Sequence, residues 1–243
     1  MRVAPRFRAV LNLLRFTPLH PQWFAYRHER RRYKIAGQLA KGRTLDIGCG
    51  RQNLLPFLSR ECHYISLDTP ATGEKLYRAQ PDVFGTAQNL PFRDRQFDTV
   101  ILLEVLEHLD QPETALQDAK RLVKAGGKLI VSTPFLYPIH DAPWDFQRWT
   151  LYGLQRLAKS TGTRIKDLKP LGGTVESGCL IFNLALSWHT LNAPTVAKPP
   201  LLLLSILLIP LANLFAATLA LTIGDTDNSR FATAYIMVLE VND

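Results

Sequence analysis

Cysteine is scarce in this 243-residue sequence, which contains Cys49, Cys62 and Cys179 and no others. The three are far apart and form no CxxC pair and no His/Cys spacing typical of zinc ligands. A disulfide framework is therefore excluded, no metal site is predicted, and a reducing, cytoplasmic setting is favoured. No segment recurs at a fixed period, which excludes a solenoid.

Acidic residues are almost missing from residues 1–43, where eleven Lys and Arg stand against Glu29 alone. The net charge of +8 therefore belongs to an N-terminal arm. Such an arm suits an anionic partner, and a membrane surface is favoured over nucleic acid because no aromatic RNA-binding motif accompanies the charge. A solvated basic face stays open as the alternative. Arginines interrupt any apolar leader, so a basic amphipathic surface helix is predicted rather than a signal peptide.

Charged side chains are also lacking between residues 176 and 225, where Lys198 stands alone. Residues 201–223 could span a bilayer at ~1.5 Å per residue, although Pro210 and Asn213 interrupt the run. A second apolar segment precedes them, and a proline-rich link joins the two into a predicted helical hairpin.

This hairpin, residues 178–223, lies before a final predicted strand at 231–241. If that strand pairs inside the sheet, a single membrane span is excluded, because both ends of the hairpin then return to the same side. Peripheral contact with the inner face of the membrane, aided by the basic arm, is predicted. A soluble cap over the acceptor pocket and a homodimer interface stay open.

Strand and helix patterns alternate through the middle of the chain, which predicts a doubly wound parallel sheet with helices on both faces. Ligands bind such sheets at the carboxyl ends of the strands. A helix is also predicted at 54–58, after a glycine turn. The other predicted strands are 43–48, 62–68, 82–84, 97–103, 128–132 and 163–169, and the other predicted helices are 25–40, 112–124 and 150–160.

The first chemical motif is the turn Asp46-Ile47-Gly48-Cys49-Gly50, DIGCG, at the end of a strand. Its glycines let the backbone approach a ligand, and a following helix would present N–H groups to an anion. A dinucleotide dehydrogenase needs a third glycine where Asn53 stands. The acid before the glycines instead suits a ligand with an amino-acid tail, whose amine it could hold. A tight turn without a ligand is the alternative.

Asp68 ends the next strand, where an acid commonly accepts the hydrogen bonds of a ribose diol. With GTAQNLPF at 85–92, EVLEH at 104–108 and KAGGK at 124–128, these motifs occur in an order that resembles class I S-adenosylmethionine-dependent methyltransferases of the type 11 family. The resemblance covers residues 40–170 and implies a seven-stranded Rossmann-like fold and S-adenosyl-L-methionine as cofactor. The cofactor residues it implies are Asp46, Gly48, Cys49, Gly50, Asp68, Thr86, Ala87, Gln88, Leu103 and Glu104.

Methyl transfer to a hydroxyl needs a base, and two histidines are candidates: His108 in EVLEH and His140 in the loop after the fifth strand. The same loop offers Trp144, Asp145 and Arg148 for an amphipathic acceptor. A packing histidine and a structural Asp145–Arg148 ion pair are the alternatives.

The sequence therefore predicts a methyltransferase acting by O- or C-methylation on a small or lipid-linked acceptor. A nicotinamide-dependent oxidoreductase and a catalytically silent cofactor-binding scaffold stay open as alternatives. The predicted organisation is a basic helical arm at 1–42, a cofactor-binding core at 43–175, an apolar hairpin at 176–224 and the last strand of the core at 225–243.

Overall fold

The structure, a computed structural model, describes residues 12–71, 80–223 and 230–241. Parts of the predicted arm (1–11) and of the predicted last segment (225–229, 242–243) lie outside them. The strands are β1 (Arg43–Ile47), β2 (His63–Asp68), β3 (Val83–Phe84), β4 (Phe97–Leu103), β5 (Val123–Pro134), β6 (Arg164–Leu171) and β7 (Ala234–Glu240). The α-helices are α1 (Trp23–Leu39), α2 (Pro112–Leu122), α3 (Leu151–Ser160), α4 (Thr174–Asn192) and α5 (Lys198–Ile223).

The seven strands form one sheet in the order β3-β2-β1-β4-β5-β7-β6. The first five pair in parallel, and β7, within the last strand predicted at 231–241, runs antiparallel to β5. The chain winds outward from β1 to β3 and then returns to place β4 on the other side of β1. This reversal makes a switch point between β1 and β4, where ligands of such sheets bind.

Local sequence signals explain why the central strand and helices form where they do. Strand β4 has the apolar run FDTVILL, which suits a strand covered on both faces. Helix α2 begins with Pro112, whose missing N–H costs nothing at a first helical position. Helix α3 is capped by Thr150, whose hydroxyl oxygen accepts a hydrogen bond from the N–H of Gly153 at 3.0 Å. These elements match the sequence predictions to within two residues at each end.

The helix predicted at 54–58 is wrong: the structure has only a 3-10 turn, Leu55–Phe57. Pro56 lies in that turn, and Leu58 already has extended backbone angles, so no α-helix continues from it. The segment after the glycine turn therefore offers no helix N-terminus to an anion. Any ligand there must be held by the turn itself and by side chains.

The described residues divide into two compact units. The sheet unit comprises 31–71, 80–135, 139–169 and 234–241, and the helical unit comprises 12–30, 136–138, 170–223 and 230–233. In the helical unit Phe24, Leu180 and Ala216 form a buried apolar cluster. In the same unit His28 contacts Thr233 Oγ1 and Glu176 Oε2, each at 2.9 Å.

Candidate functional site

A glycine turn follows β1 and is hydrogen-bonded to β2. Gly48 and Gly50 have φ values of 71° and 51°, the left-handed region that favours glycine. The N–H groups of Gly48 and Cys49 both donate to the carbonyl of Leu67, at 2.8 and 3.1 Å. A Cβ atom on Gly48 would lie 2.5 Å from Val105 Cγ2, so the turn has room for backbone only.

Asp68, at the end of β2, ties this turn to its own strand. Its Oδ2 accepts from the N–H of Gly50 at 2.8 Å, and its Oδ1 accepts from the N–H of Thr69 at 2.7 Å. A carboxylate oxygen has lone pairs for more than one donor, so these backbone bonds leave it able to accept from a ligand. Asp68 thus has both a structural role in the turn and a place at the ligand site.

Asp46 is buried on β1, the strand next to the one that ends in Asp68. Its carboxylate accepts a hydrogen bond from Tyr64 Oη at 2.7 Å. Burial raises the pKa of Asp46 to about 7; the nearby Asp68 carboxylate raises it further, and the Tyr64 hydrogen bond opposes the shift. Such a carboxyl would become charged readily beside a ligand cation, because an opposite charge favours its ionised form.

A cavity of about 330 Å³ opens at the carboxyl ends of β1, β2 and β4. Predicted cofactor residues that line it are Gly48, Asp68, Ala87 and Glu104. Those that lie outside the lining are Asp46, Cys49, Gly50, Thr86, Gln88 and Leu103. His108 and Trp144, predicted for the acceptor side, also line it. Sequence reasoning did not assign the remaining wall, which is Ile47, Leu67, Thr69, Ala71, Gly85, Val105, Leu109 and Asp141.

Glu104 stands at the end of β4 with φ of 57°, which is rare for a residue with a side chain. Its Oε1 lies 2.8 Å from Arg32 NH1 and accepts from Ser132 Oγ at 3.0 Å. Arg32 belongs to α1, a helix that the sequence motifs did not connect to the site. Left-handed backbone at a non-glycine residue is typical of functional sites, where surrounding contacts hold it in place.

The predicted acceptor residues do not all lie on the cavity. His108 and Trp144 line it, and His108 Nδ1 lies 2.5 Å from the carbonyl oxygen of Trp144. Asp145 and Arg148 do not line the cavity and form a bidentate ion pair. Arg148 NH1 donates to Asp145 Oδ1 at 2.5 Å, and Arg148 NH2 donates to Asp145 Oδ2 at 2.7 Å. This guanidinium holds the pKa of Asp145 at about 2. Asp145 Oδ2 also accepts from the backbone N–H of His140 at 2.8 Å, so the pair positions His140.

Glu107, which the sequence analysis did not single out, is a buried ionisable side chain beside these histidines. Its side chain is 0% exposed, and neither carboxylate oxygen has a hydrogen-bond partner in the described residues. Burial, with the nearby Glu104 carboxylate, raises the pKa of Glu107 well above its usual value. The sequence could have indicated this residue, because Glu107 directly precedes the candidate base His108 in EVLEH.

A family model described as a methyltransferase domain (Methyltransf_23) matches residues 22–171, which is more than half of the chain. The chain belongs to this methyltransferase domain family. Membership confirms the class I methyltransferase resemblance that the ordered motifs predicted. The matched residues include every strand from β1 to β6 and the whole lining of the cavity.

Known members of this fold are similar in both sequence and structure. The ubiquinone biosynthesis O-methyltransferase of Maricaulis maris is 33% identical over 133 residues, which is 48% of this chain and 52% of that protein. The chain spans about half the length of such curated relatives. A putative methyltransferase from Bacillus halodurans aligns with a TM-score of 0.54 and 16% identity, over 88% of this chain and 98% of that one.

A second solved structure is the 1,6-didemethyltoxoflavin-N1-methyltransferase of Burkholderia thailandensis, which holds 1,6-didemethyltoxoflavin and S-adenosylhomocysteine. It aligns with a TM-score of 0.52 and 14% identity, over 100% of this chain and 92% of that one. At these identities the two structures confirm the fold, a seven-stranded Rossmann-like sheet with an apolar helix before the last strand.

Proposed function

We propose that this chain is an S-adenosylmethionine-dependent methyltransferase. The observation that carries the proposal is the cavity at the switch point of the sheet, with the Gly48 backbone and the Asp68 carboxylate in its wall. S-adenosyl-L-methionine would supply an electrophilic methyl group there. The Asp68 carboxylate would accept from the ribose hydroxyls, and the buried Asp46 would stabilise the cofactor's amine, directly or through water.

The residues present fit such a group better than a nicotinamide dinucleotide. The turn after β1 has space only for backbone at Gly48, which allows close approach of a ligand. It lacks the third glycine and the following α-helix that hold a pyrophosphate in dinucleotide enzymes. Asp68 at the end of β2 could bind the ribose of either cofactor, so it does not distinguish S-adenosylmethionine from a nicotinamide dinucleotide. The turn therefore favours a nucleoside with an amino-acid tail.

The acceptor would bind where His108, Trp144 and Leu109 line the same cavity. An indole and an aliphatic side chain beside an imidazole suit a ring or short chain that carries a polar reacting atom. We infer O- or C-methylation of a small or amphipathic acceptor. The name of the Maricaulis maris relative, which acts in ubiquinone biosynthesis, supports a hydroxyl on an apolar ring as the first acceptor to test.

A lipid-linked acceptor is supported by the outer surface of the helical unit. Among the described residues one helix, Lys198–Thr222 within α5, is long and apolar enough to cross a membrane by length and composition. Most of that helix is exposed rather than packed. Its exposed large apolar side chains include Leu203, Ile206, Leu207, Leu211, Leu214 and Phe215. Contiguous exposed apolar patches are typical of interaction surfaces.

Two polar residues of this helix, Ser205 and Asn213, are buried against the rest of the helical unit. Asn213 is fully buried, its Oδ1 accepts from Asn183 Nδ2 at 2.9 Å, and its Nδ2 donates to the Pro18 carbonyl at 2.7 Å. Ser205 and Thr190 pair at 2.7 Å. Because β6 and β7 belong to one sheet, the chain between them leaves and returns on one side of any membrane.

We therefore propose peripheral membrane contact through residues 178–223 and the basic arm, with the cofactor core at 43–175. A homodimer interface is the competing use of the same face.

Labelled methyl transfer tests the proposed activity. The full chain is incubated with methyl-labelled S-adenosyl-L-methionine and a panel of phenols, catechols, quinols and polyprenyl-linked rings, and label in the organic phase is counted. Transfer above a boiled-enzyme control supports the proposal. Binding of S-adenosylhomocysteine without transfer to any acceptor would support a silent scaffold, and binding of NADH alone would support an oxidoreductase.

A further inference from the structure

One cluster beside the cavity brings three metal-binding side chains together. It consists of Glu107, His108 and His140, and we call it the Glu-His-His cluster. The Glu107 side chain is 0% exposed, and both of its oxygens lack hydrogen-bond partners among the described residues. A buried carboxylate is costly unless it is paired, hydrogen-bonded or bound to a metal. A bound metal ion is one way to offset this cost, because it would hold the Glu107 carboxylate in its charged form.

The two imidazoles face that carboxylate with the same ring nitrogen. Glu107 Oε1 lies 3.8 Å from His108 Nε2 and 3.9 Å from His140 Nε2. One ligand atom from each of the three residues fits within a 4.8 Å span. Zn²⁺ bound tetrahedrally at about 2.1 Å holds its ligand atoms about 3.4 Å apart. The two carboxylate–imidazole separations exceed this by about 0.5 Å and the third separation lies within 4.8 Å, so side-chain rotations are needed to bring all three ligand atoms onto one ion.

The hydrogen bond behind His108 turns a lone pair of that ring toward the common point, and a carboxylate lies behind the ring of His140. His108 Nδ1 lies 2.5 Å from the Trp144 carbonyl oxygen, which can only accept, so Nδ1 carries a proton and Nε2 of the neutral ring presents a lone pair. His140 Nδ1 lies 3.3 Å from Asp145 Oδ2, an acceptor, and 3.4 Å from an Arg148 guanidinium nitrogen, a donor, so binding a metal through Nε2 requires the tautomer whose Nδ1 proton points to Asp145. Metal-binding histidines commonly have a carbonyl or carboxylate behind the ring in this way.

We propose that the Glu-His-His cluster binds one divalent transition-metal ion, of which Zn²⁺ is the probe. The ligands are Glu107 Oε1 and the Nε2 atoms of His108 and His140. Two imidazoles and one carboxylate suit Zn²⁺ or a neighbouring transition metal better than Mg²⁺ or Ca²⁺, which prefer oxygen ligands. Three protein ligands leave a position open, as catalytic rather than structural zinc sites do.

The open position gives the site a use in the proposed methyl transfer, on which this part of the inference rests. His108 lines the cavity, so the metal would lie at its acceptor end. A metal there would lower the pKa of a bound acceptor hydroxyl, whose proton leaves to solvent, and would hold the oxygen toward the methyl group. The histidines would then act on the acceptor's proton through the metal, instead of accepting it as bases.

Calorimetric titration of Zn²⁺ into the full chain, stripped with EDTA and then freed of chelator, tests the site. We expect one Zn²⁺ per wild-type chain. Glu107→Gln and His140→Gln should each weaken binding by at least 100-fold, and His63→Gln, which changes an exposed histidine on β2, should leave binding unchanged. Because a buried Glu107 variant could misfold, circular dichroism and S-adenosylhomocysteine binding are measured on every variant, and the partly exposed His140 provides a second test.

The outcomes separate the two proposals. Absence of stoichiometric binding by wild type, or equal binding by wild type and both cluster variants, overturns the metal site. If S-adenosylhomocysteine still binds in that case, the proposed function stands without it. Zn²⁺ binding that the cluster variants lose, in a chain that binds no S-adenosylhomocysteine, confirms the metal site and removes the proposed methyl transfer.

Discussion

Arg32 of α1 and Glu104 at the end of β4 form an ion pair, with NH1 of Arg32 2.8 Å from Oε1 of Glu104. The pair is mostly buried, and it holds a residue whose backbone is in the left-handed region. Since Glu104 lines the cavity, a residue far away in sequence thereby determines the shape of one wall.

Breaking this pair should weaken cofactor binding. Arg32→Ala leaves Glu104 without its cation, and we expect S-adenosylhomocysteine to bind about 10-fold more weakly, a loss of about 1.4 kcal/mol. The free energy of unfolding should fall by about 1–3 kcal/mol. Calorimetry and urea unfolding measure the two effects. Arg31→Ala, on an exposed neighbouring position, is the matched control, and equal affinity of the two variants would contradict the positioning role.

The buried Asp46 should make stability depend on pH. Between its ordinary pKa of 3.8 and the folded value of about 7, the folded chain keeps a proton that the unfolded chain has released. Rising pH therefore lowers the free energy of unfolding through this window, by up to about 1.4 kcal/mol per pH unit from this group.

Asp46→Asn should remove that contribution while keeping an oxygen for Tyr64. As pH rises from 4 to about 7, wild type should lose unfolding free energy relative to the variant, and above about pH 7 the difference between them should stay constant. Urea unfolding at several pH values measures it. Asp110→Asn, at an exposed position, should show no such trend. A difference that does not change with pH would mean that Asp46 is charged throughout.

Peripheral membrane contact makes a prediction for the exposed face of α5. The wild-type chain should float with vesicles of mixed neutral and anionic lipids, because apolar burial and the basic arm act together. Replacing Leu207 and Leu214 by Ser should reduce the floating fraction several-fold. Replacing Thr218, an exposed residue of the same helix, by Ser is the control. A wild-type chain that stays with the soluble fraction and elutes as a dimer would favour the homodimer interface instead.

Much of the fold was predictable because its signals are local. The apolar run of β4 and the proline and capping threonine of α2 and α3 identify those elements without tertiary contacts. The helix predicted at 54–58 failed because Pro56 allows a helical turn to begin but nothing after it sustains one. The antiparallel direction of β7 depends on its pairing with β5, which no local pattern in the last strand encodes.

The site was less predictable, since it depends on contacts between distant segments. The glycine turn and Asp68 were found because their spacing is recognisable in sequence. No local pattern joins Arg32 to Glu104 across 72 positions, or places His140 beside Glu107. The burial of Glu107 is likewise a property of packing. Asp145 and Arg148 were chosen as acceptor residues, whereas the structure places them behind His140 as its support.

Calorimetric titration of S-adenosylhomocysteine into wild type, Asp68→Ala and Asp68→Asn tests the central claim most directly. We expect wild type to bind one molecule per chain and Asp68→Ala to bind about 100-fold more weakly, because two hydrogen bonds to a charged acceptor are lost. Asp68→Asn, which keeps one oxygen, should fall between them, and Glu61→Ala on the surface should match wild type. No binding by folded wild-type chain would contradict the account, since the glycine turn would then serve only the fold.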